Sequence, residues 1–194
     1  MLDQAVDRLN AYLAAIMSPV PLTDEPWRLP TSRAPHDPDT VQAGDGSIYP
    51  AAVAGDLPDL PPRVRPGSSA ARTVGVAYLD GHRVGVIVSG HRDPRTGQPD
   101  PYVARAHLRL AACGRDQWNA HHVEAKLVAR MIESNIRQGE VNLNNVPCGY
   151  ETTIVGCHQV LADMLPFGSS LRVRGTYGDG TMAFDRVYRG RGPA

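Results

Sequence analysis

Leu2, Val6, Leu9, Leu13 and Ile16 recur at three- and four-residue intervals, with Asp3, Asp7 and Arg8 on the other side. This period predicts a short amphipathic helix over Met1–Ile16. A lone helix of this length barely forms in water, so its apolar side must pack on something. The periodicity stops between Pro19 and Pro66, a stretch that holds eleven of the seventeen prolines. It reads either as an extended linker or as an irregular strap laid over a core, with Trp27 and Tyr49 as anchors.

From Thr73 the pattern changes to alternation. Val74, Val76 and Tyr78 alternate with small residues, as do Val84, Val86 and Val88, and Asp80-Gly81 stands between the two runs. Asp-Gly is a favoured two-residue turn, so Thr73–Ser89 predicts a β-hairpin. A polar loop follows over Gly90–Pro101, and Tyr102–Cys113 fits a short strand or a helix equally well. His121–Ile136 then places Val123, Leu127, Val128, Met131 and Ile132 on one stripe, a clear helix stopped by Gly139. Glu140–Asn144 predicts a strand, Gly156–Leu165 a second helix closed by Pro166, and Ser170–Arg174 and Met182–Tyr188 two last strands around a Tyr-Gly-Asp-Gly turn. The order β-β-α-β-α-β-β predicts an α/β sandwich with a mixed sheet and helices packed on it. The organisation expected is a helix over 1–17, a proline-rich linker over 18–71, a domain over 72–190 and a tail over 191–194.

Charge changes this picture little. The chain has 194 residues, 20 basic and 20 acidic, and a formal net charge of zero, which excludes a chain-wide electrostatic grip on nucleic acid. The distribution is uneven: Tyr102–Ala194 carries eleven Lys/Arg against eight Asp/Glu, and Met1–Ala71 five against nine. Three cysteines argue against a disulfide scaffold. No signal peptide is legible, and no apolar run approaches the ~20 residues needed to cross a bilayer. A protein made in the cytoplasm, with any export by a route other than the general secretory signal, is the expectation.

The chemistry concentrates in four residues. His122-Val123-Glu124 opens the first core helix, Pro147-Cys148 follows the next strand, and Cys157 opens the second helix. One His, a Glu two residues later and two Cys after a Pro is the pattern of a zinc-dependent nucleobase deaminase. Zinc held by three protein ligands keeps a position open for a water that ionises near neutral pH. Two thiolates and an imidazole suit that ion. In this scheme Glu124 is not a ligand but the group that moves protons. His121 is the nearest rival ligand, although Glu124 would then follow at three residues. The usual Cys-x-x-Cys spacing is replaced by eight intervening residues, Gly149–Gly156, whose terminal glycines let the loop leave and return. Cys113 reads as a buried structural residue.

These segments resemble the DddA-like bacterial toxin deaminases. The likeness is carried by His122-Val-Glu-Ala-Lys, Asn144-Asn-Val-Pro-Cys-Gly149, Gly156-Cys-His and Met164-Leu-Pro-Phe-Gly-Ser-Ser-Leu-Arg-Val173, and extends over about Arg72 to Gly190. It implies a cytidine-deaminase-like three-layer sandwich around a mixed five-stranded sheet. It also implies Zn2+ on His122, Cys148 and Cys157, proton transfer by Glu124, and conversion of cytosine to uracil in DNA. The implied biology is an interbacterial toxin, exported by a specialised secretion system, delivered into a target cell, and neutralised in the producing cell by an immunity protein. No membrane association is expected, and a monomer is.

A deaminase must hold its base outside the stack. Tyr102, Trp118 and Tyr150 are the aromatic candidates for that contact, Trp118 being equally readable as core. Asn144 is a candidate for hydrogen bonds to sugar or base edge, and Ser89 and Gly90 for a contact that rests on the resemblance. Arg172, Arg174 and Arg189, with Arg186 and Arg191 beside them, are candidates for phosphate contacts. Scarce aromatics and neutral charge lean towards single-stranded over double-stranded DNA, with Tyr150 or Ile154 as the wedge a duplex would need. Two alternatives stand beside this reading. One is a deaminase of RNA or of a free nucleoside or nucleotide. The other is a protein-binding module with structural zinc, whose fourth ligand would come from His121, His158 or Cys113.

Overall fold

The computed structural model describes residues 38–64 and 72–193. The helix expected over Met1–Ile16, Trp27 and the remainder of the proline-rich segment lie outside the described residues.

A five-stranded mixed sheet carries the fold. Its strands are β3 (Val74–Leu79), β4 (His82–Val88), β5 (Gln138–Leu143), β6 (Ser170–Thr176) and β7 (Ala183–Arg189). They lie in the order β4-β3-β5-β6-β7. Only β5 and β6 run parallel, and the other neighbours are antiparallel. The β3–β4 turn has φ of 46° at Asp80 and 78° at Gly81, the double positive φ of a type I′ hairpin turn.

Three α-helices pack on one face: α1 (Pro101–Ala112), α2 (Val123–Glu133) and α3 (Cys157–Met164). The segment that fits strand or helix equally well in sequence is α1. Asp100 caps it by accepting the Tyr102 N–H at 3.0 Å, and Pro101 takes the first helical position, where its missing N–H costs nothing. Val103, Ala106 and Leu110 form its buried stripe. The central helix is α2, buried over nearly all its length. It is shorter than the stripe predicts, because His121 belongs to a 3-10 turn (Gln117–His121) and Asn135, at φ 52°, ends the helical run before Gly139. Ala77, Leu79, Val141, Leu143, Leu171 and Val173 face these helices from the sheet.

The other face of the sheet is covered by part of the proline-rich segment. Residues 40–59 form a two-stranded ribbon, β1 (Thr40–Gln42) with β2 (Ile48–Pro50), and a 3-10 helix, Ala51–Asp59. Tyr49 and Val53 are buried, at 1% and 0% exposure. Alternation along a strand sends neighbours to opposite faces, so Asn142 lies on this side while Val141 and Leu143 lie on the helical side. The Asn142 side chain donates to the Asp56 carboxylate at 2.5 Å, and the Tyr78 hydroxyl donates to it at 2.7 Å. Asp56 is 6% exposed, and these donors meet the condition that lets a carboxylate be buried. The described part of the segment is thus a strap with Tyr49 as an anchor, held by contacts to residues far along the chain. Among the described residues no helix is long and apolar enough to cross a membrane.

Candidate metal centre and catalytic cleft

Three local structures meet at the carboxyl end of β5. His122 is the N-cap of α2, extended at φ −78° and ψ 153°. Cys148 stands in the turn that follows β5, and Cys157 is the first residue of α3. His122 Nδ1 lies 3.2 Å from Cys148 Sγ and 3.4 Å from Cys157 Sγ, and the three ligand atoms all fall within 4.8 Å of one another. The Cys157 backbone N–H, at the start of its helix, donates to Cys148 Sγ at 3.1 Å. That bond and the helix dipole favour negative charge on the sulfur.

The electrostatics follow from these contacts. The bond with the Cys157 thiol, joined by the His122 ring, holds the Cys148 thiol well below its ordinary range, against burial. The same pairing pushes Cys157 up. Burial disfavours a charged His122, but its bond to Cys148 outweighs that and raises its pKa. Burial, then the charge on Cys148, pushes the Glu124 carboxyl up to about 7. One imidazole and two thiols converging on a point, with no fourth protein ligand among the described residues, fit a zinc ion that keeps one position open.

The loop between the cysteines is closed at its neck by one side chain. Gln159 Nε2 donates to the Gly149 carbonyl at 2.7 Å, and Gln159 Oε1 accepts the Gly156 N–H at 2.7 Å. Gly149 sits at φ +81°, and a Cβ on Gly156 would stand 2.3 Å from the Cys148 carbonyl oxygen, so both glycines are required by the close approach. On the return to the neck, Ile154 and Val155 are exposed apolar residues. Glu151 ties the loop to the β6–β7 turn by accepting the Gly178 N–H at 3.0 Å.

A cleft of about 440 Å³ opens over His122, Cys148 and Glu124, the last 3% exposed at its floor, with Cys157 buried behind them. Thr73, Ser89, Trp118, Asn145, Thr152 and Ile154 stand around it. Of the sequence candidates, Ser89 and Trp118 are brought to it, the Trp118 ring edge-on to His122 with centroids 5.8 Å apart. Gly90 adjoins the rim, its N–H donating to the His121 carbonyl at 2.8 Å.

The other candidates are not brought to the cleft. The Asn144 side chain is buried on the strap side, accepting from the Val74 N–H and donating to the Pro62 carbonyl, while its neighbour Asn145 lines the cleft. Tyr102 lines a separate cleft beside β4 and Lys126. Tyr150 packs into a cluster with Tyr177, Phe184 and His158, its hydroxyl 3.0 Å from that of Tyr177. Arg172 is paired with Asp185, and Arg174, buried, with Glu140 and Asp185. Arg189 pairs in register with Ser170, at the end of β6 remote from the site. Among the described residues, cations near the rim are Arg72, whose guanidinium lies over Gly90, and Arg63, which donates to the Gly178 carbonyl. The place of Arg72 could be read from the sequence only once the hairpin is known to bring residues 72–73 beside 89–90.

None of the three alternative fourth ligands joins the cluster of His122, Cys148 and Cys157. His121 stacks on His91 at 4.6 Å, and burial, then His122 and His91, push its ring down to about 4. His158 Nδ1 lies 2.9 Å from the Tyr188 hydroxyl, and Cys113 Sγ 3.0 Å from the Asp163 carbonyl oxygen.

A comparison with protein families agrees with this geometry. The family described as SCP1.201-like deaminase matches residues 46–192, which takes in the strap from just before β2 as well as the whole sheet. No curated protein matches the chain closely enough to count as a relative.

Proposed function

This chain belongs to the SCP1.201-like deaminase family, and from that premise we propose that it converts cytosine to uracil in DNA, with a preference for single strands. The observation that carries the reading is the convergence of His122, Cys148 and Cys157 over Glu124 at the floor of an open cleft. A zinc ion held by those three residues would supply a water ionised near neutral pH.

The chain's own residues account for the remainder. Glu124 accepts a proton from the attacking water and delivers it to ring N3 as the oxygen bonds to C4. It then takes the proton of the new C4 hydroxyl and passes it to the exocyclic nitrogen as the C4–N bond breaks and the C4=O bond forms. Cytosine and water become uracil and ammonia, and Glu124 returns to its starting state. The Trp118 ring, half exposed at the mouth, offers a face for an unstacked base. Withdrawal of Tyr150 into an aromatic cluster leaves the rest of the loop, Glu151 to Val155, without an aromatic side chain to wedge into a duplex, which favours a strand that is already open. By the likeness to bacterial toxin deaminases, the activity would be toxic to a recipient cell, and a dedicated immunity protein would cover this cleft.

The test is uracil formation on matched single- and double-stranded oligonucleotides by the zinc-loaded full chain and by Glu124→Gln. The wild type is expected to produce uracil mainly on single strands. The variant is expected to be slower by at least roughly 10²–10⁴ while keeping its zinc. No uracil on either DNA from zinc-loaded wild type would refute the DNA reading, and RNA and free deoxycytidine would then be assayed. Growth arrest on cytoplasmic expression in a bacterium, absent for Glu124→Gln, tests the toxin role.

A further inference from the structure

Asn119 lies in the 3-10 turn before α2, three residues ahead of His122, and its carbonyl accepts the His122 N–H at 3.0 Å. It is 1% exposed. Its side-chain Oδ1 stands 3.6 Å from Cys148 Sγ, and its Nδ2 is buried with no hydrogen-bond partner among the described residues. These two facts conflict with a metal on Cys148. A ligating sulfur is a thiolate, and a thiolate has no proton to give to a carbonyl oxygen. A carbonyl pressed against it is repelled.

The two ends of an amide have the same shape, so exchanging them costs no space. The exchange puts an N–H against the sulfur at a distance suited to a bond to sulfur. The oxygen takes the buried position, trading an unpaired N–H for an unpaired C=O, the more readily tolerated of the two.

From this geometry we propose that Asn119 is a positioning residue of the metal centre: its side-chain amide donates an N–H···S hydrogen bond to the Cys148 thiolate. With the Cys157 backbone N–H already on the same sulfur at 3.1 Å, Cys148 receives two donors. Both draw charge from the sulfur, leaving the bound ion a stronger Lewis acid, and together they fix which way the sulfur faces. The inference rests on the reading of His122, Cys148 and Cys157 as metal ligands.

The first experiment needs no variant. The full chain is loaded with 113Cd and labelled with 15N, and coupling between the cadmium and the Asn119 side-chain amide protons is sought. Such coupling passes only through an N–H···S–Cd bridge, and the signal is assigned by its loss in Asn119→Leu. The second uses cobalt(II). The wild type is expected to show a sulfur-to-cobalt charge-transfer band. Asn119→Leu is expected to move that band to longer wavelength and to weaken zinc binding roughly 10–100-fold against a chelator. Absence of amide coupling in the cadmium protein overturns the proposal, as does an unmoved band in a cobalt-loaded Asn119→Leu. If the wild type itself shows no thiolate band, the metal-site reading has failed instead.

Discussion

Lys126 stands in the middle of α2 with a side chain only 1% exposed. Its ammonium donates to the Val88 carbonyl at 2.8 Å and lies 2.8 Å from the Asp100 carboxylate. One charge therefore joins α2, which starts beside His122, to the end of β4 and to the cap of α1. Lys126→Met keeps the aliphatic stem and removes the charge. Breaking a buried pair by deleting one partner costs about 3–5 kcal/mol. Asp100 is 16% exposed and keeps the Tyr102 N–H, so it is not stranded, and the lower end, about 3 kcal/mol, applies. In a domain of this size each kcal/mol lowers the melting temperature by roughly 2–4 °C, so a fall of about 6–12 °C is expected. Urea unfolding followed by circular dichroism gives the same quantity at constant temperature. Asp100→Asn, which leaves the ammonium with a carbonyl alone, should cost at least as much. The double variant should cost less than the two singles added. A Lys126→Met protein within about 1 kcal/mol of wild type would refute the reasoning, because the ammonium would then contribute no more than a solvated one.

Gly75 faces the helices, and a Cβ there would lie 2.7 Å from Val141 and 2.8 Å from Leu143 and Val123. Gly75→Ala should destabilise by about 1–3 kcal/mol in the same unfolding assay. Burial alone would raise the pKa of Asp163, but its bonds from Arg191 and Arg115 outweigh that and hold the carboxyl below the usual range. A depressed carboxyl stabilises the fold fully above its unfolded pKa, about 4, and loses that contribution as pH falls through its lower folded value. The stability gap between wild type and Asp163→Asn should therefore be constant near neutrality and close only below about pH 4. If the cleft takes a polynucleotide, Arg72→Ala should weaken binding of a single-stranded oligonucleotide, measured by anisotropy in a Glu124→Gln background. It should also reduce the salt slope by about one, and Arg189→Ala should leave both unchanged.

Features encoded by neighbouring residues were legible in the sequence. The Asp80-Gly81 turn, the apolar stripe of α2 and the order His122, Glu124, Cys148, Cys157 each lie within one element or at its boundary. The identity of α1 was legible too, but in Asp100 and Pro101, just outside the ambiguous apolar run. What escaped depends on direction and on distant partners. Asn144 and Asn145 are adjacent, yet alternation sends one under the strap and the other into the cleft. Arg172 and Arg174 look like free cations until the register sets Arg172 beside Glu140 and Arg174 opposite Asp185. The strap has no periodicity because its stability comes from Asp56 meeting Asn142 and Tyr78 across the fold, which composition does not encode.

The Gln159 clamp has a consequence for how such a domain diversifies. Because one amide holds both the first and the last residue of the inter-cysteine segment, the spacing of the two sulfurs is set at this neck. Beyond the neck, Tyr150 and Glu151 anchor the first half of the segment on Phe184 and Gly178, so the stretch open to exchange is Thr152 to Val155. Of that stretch, Thr152 and Ile154 stand at the rim of the cleft, so a change there alters what surrounds a substrate and leaves the neck in place.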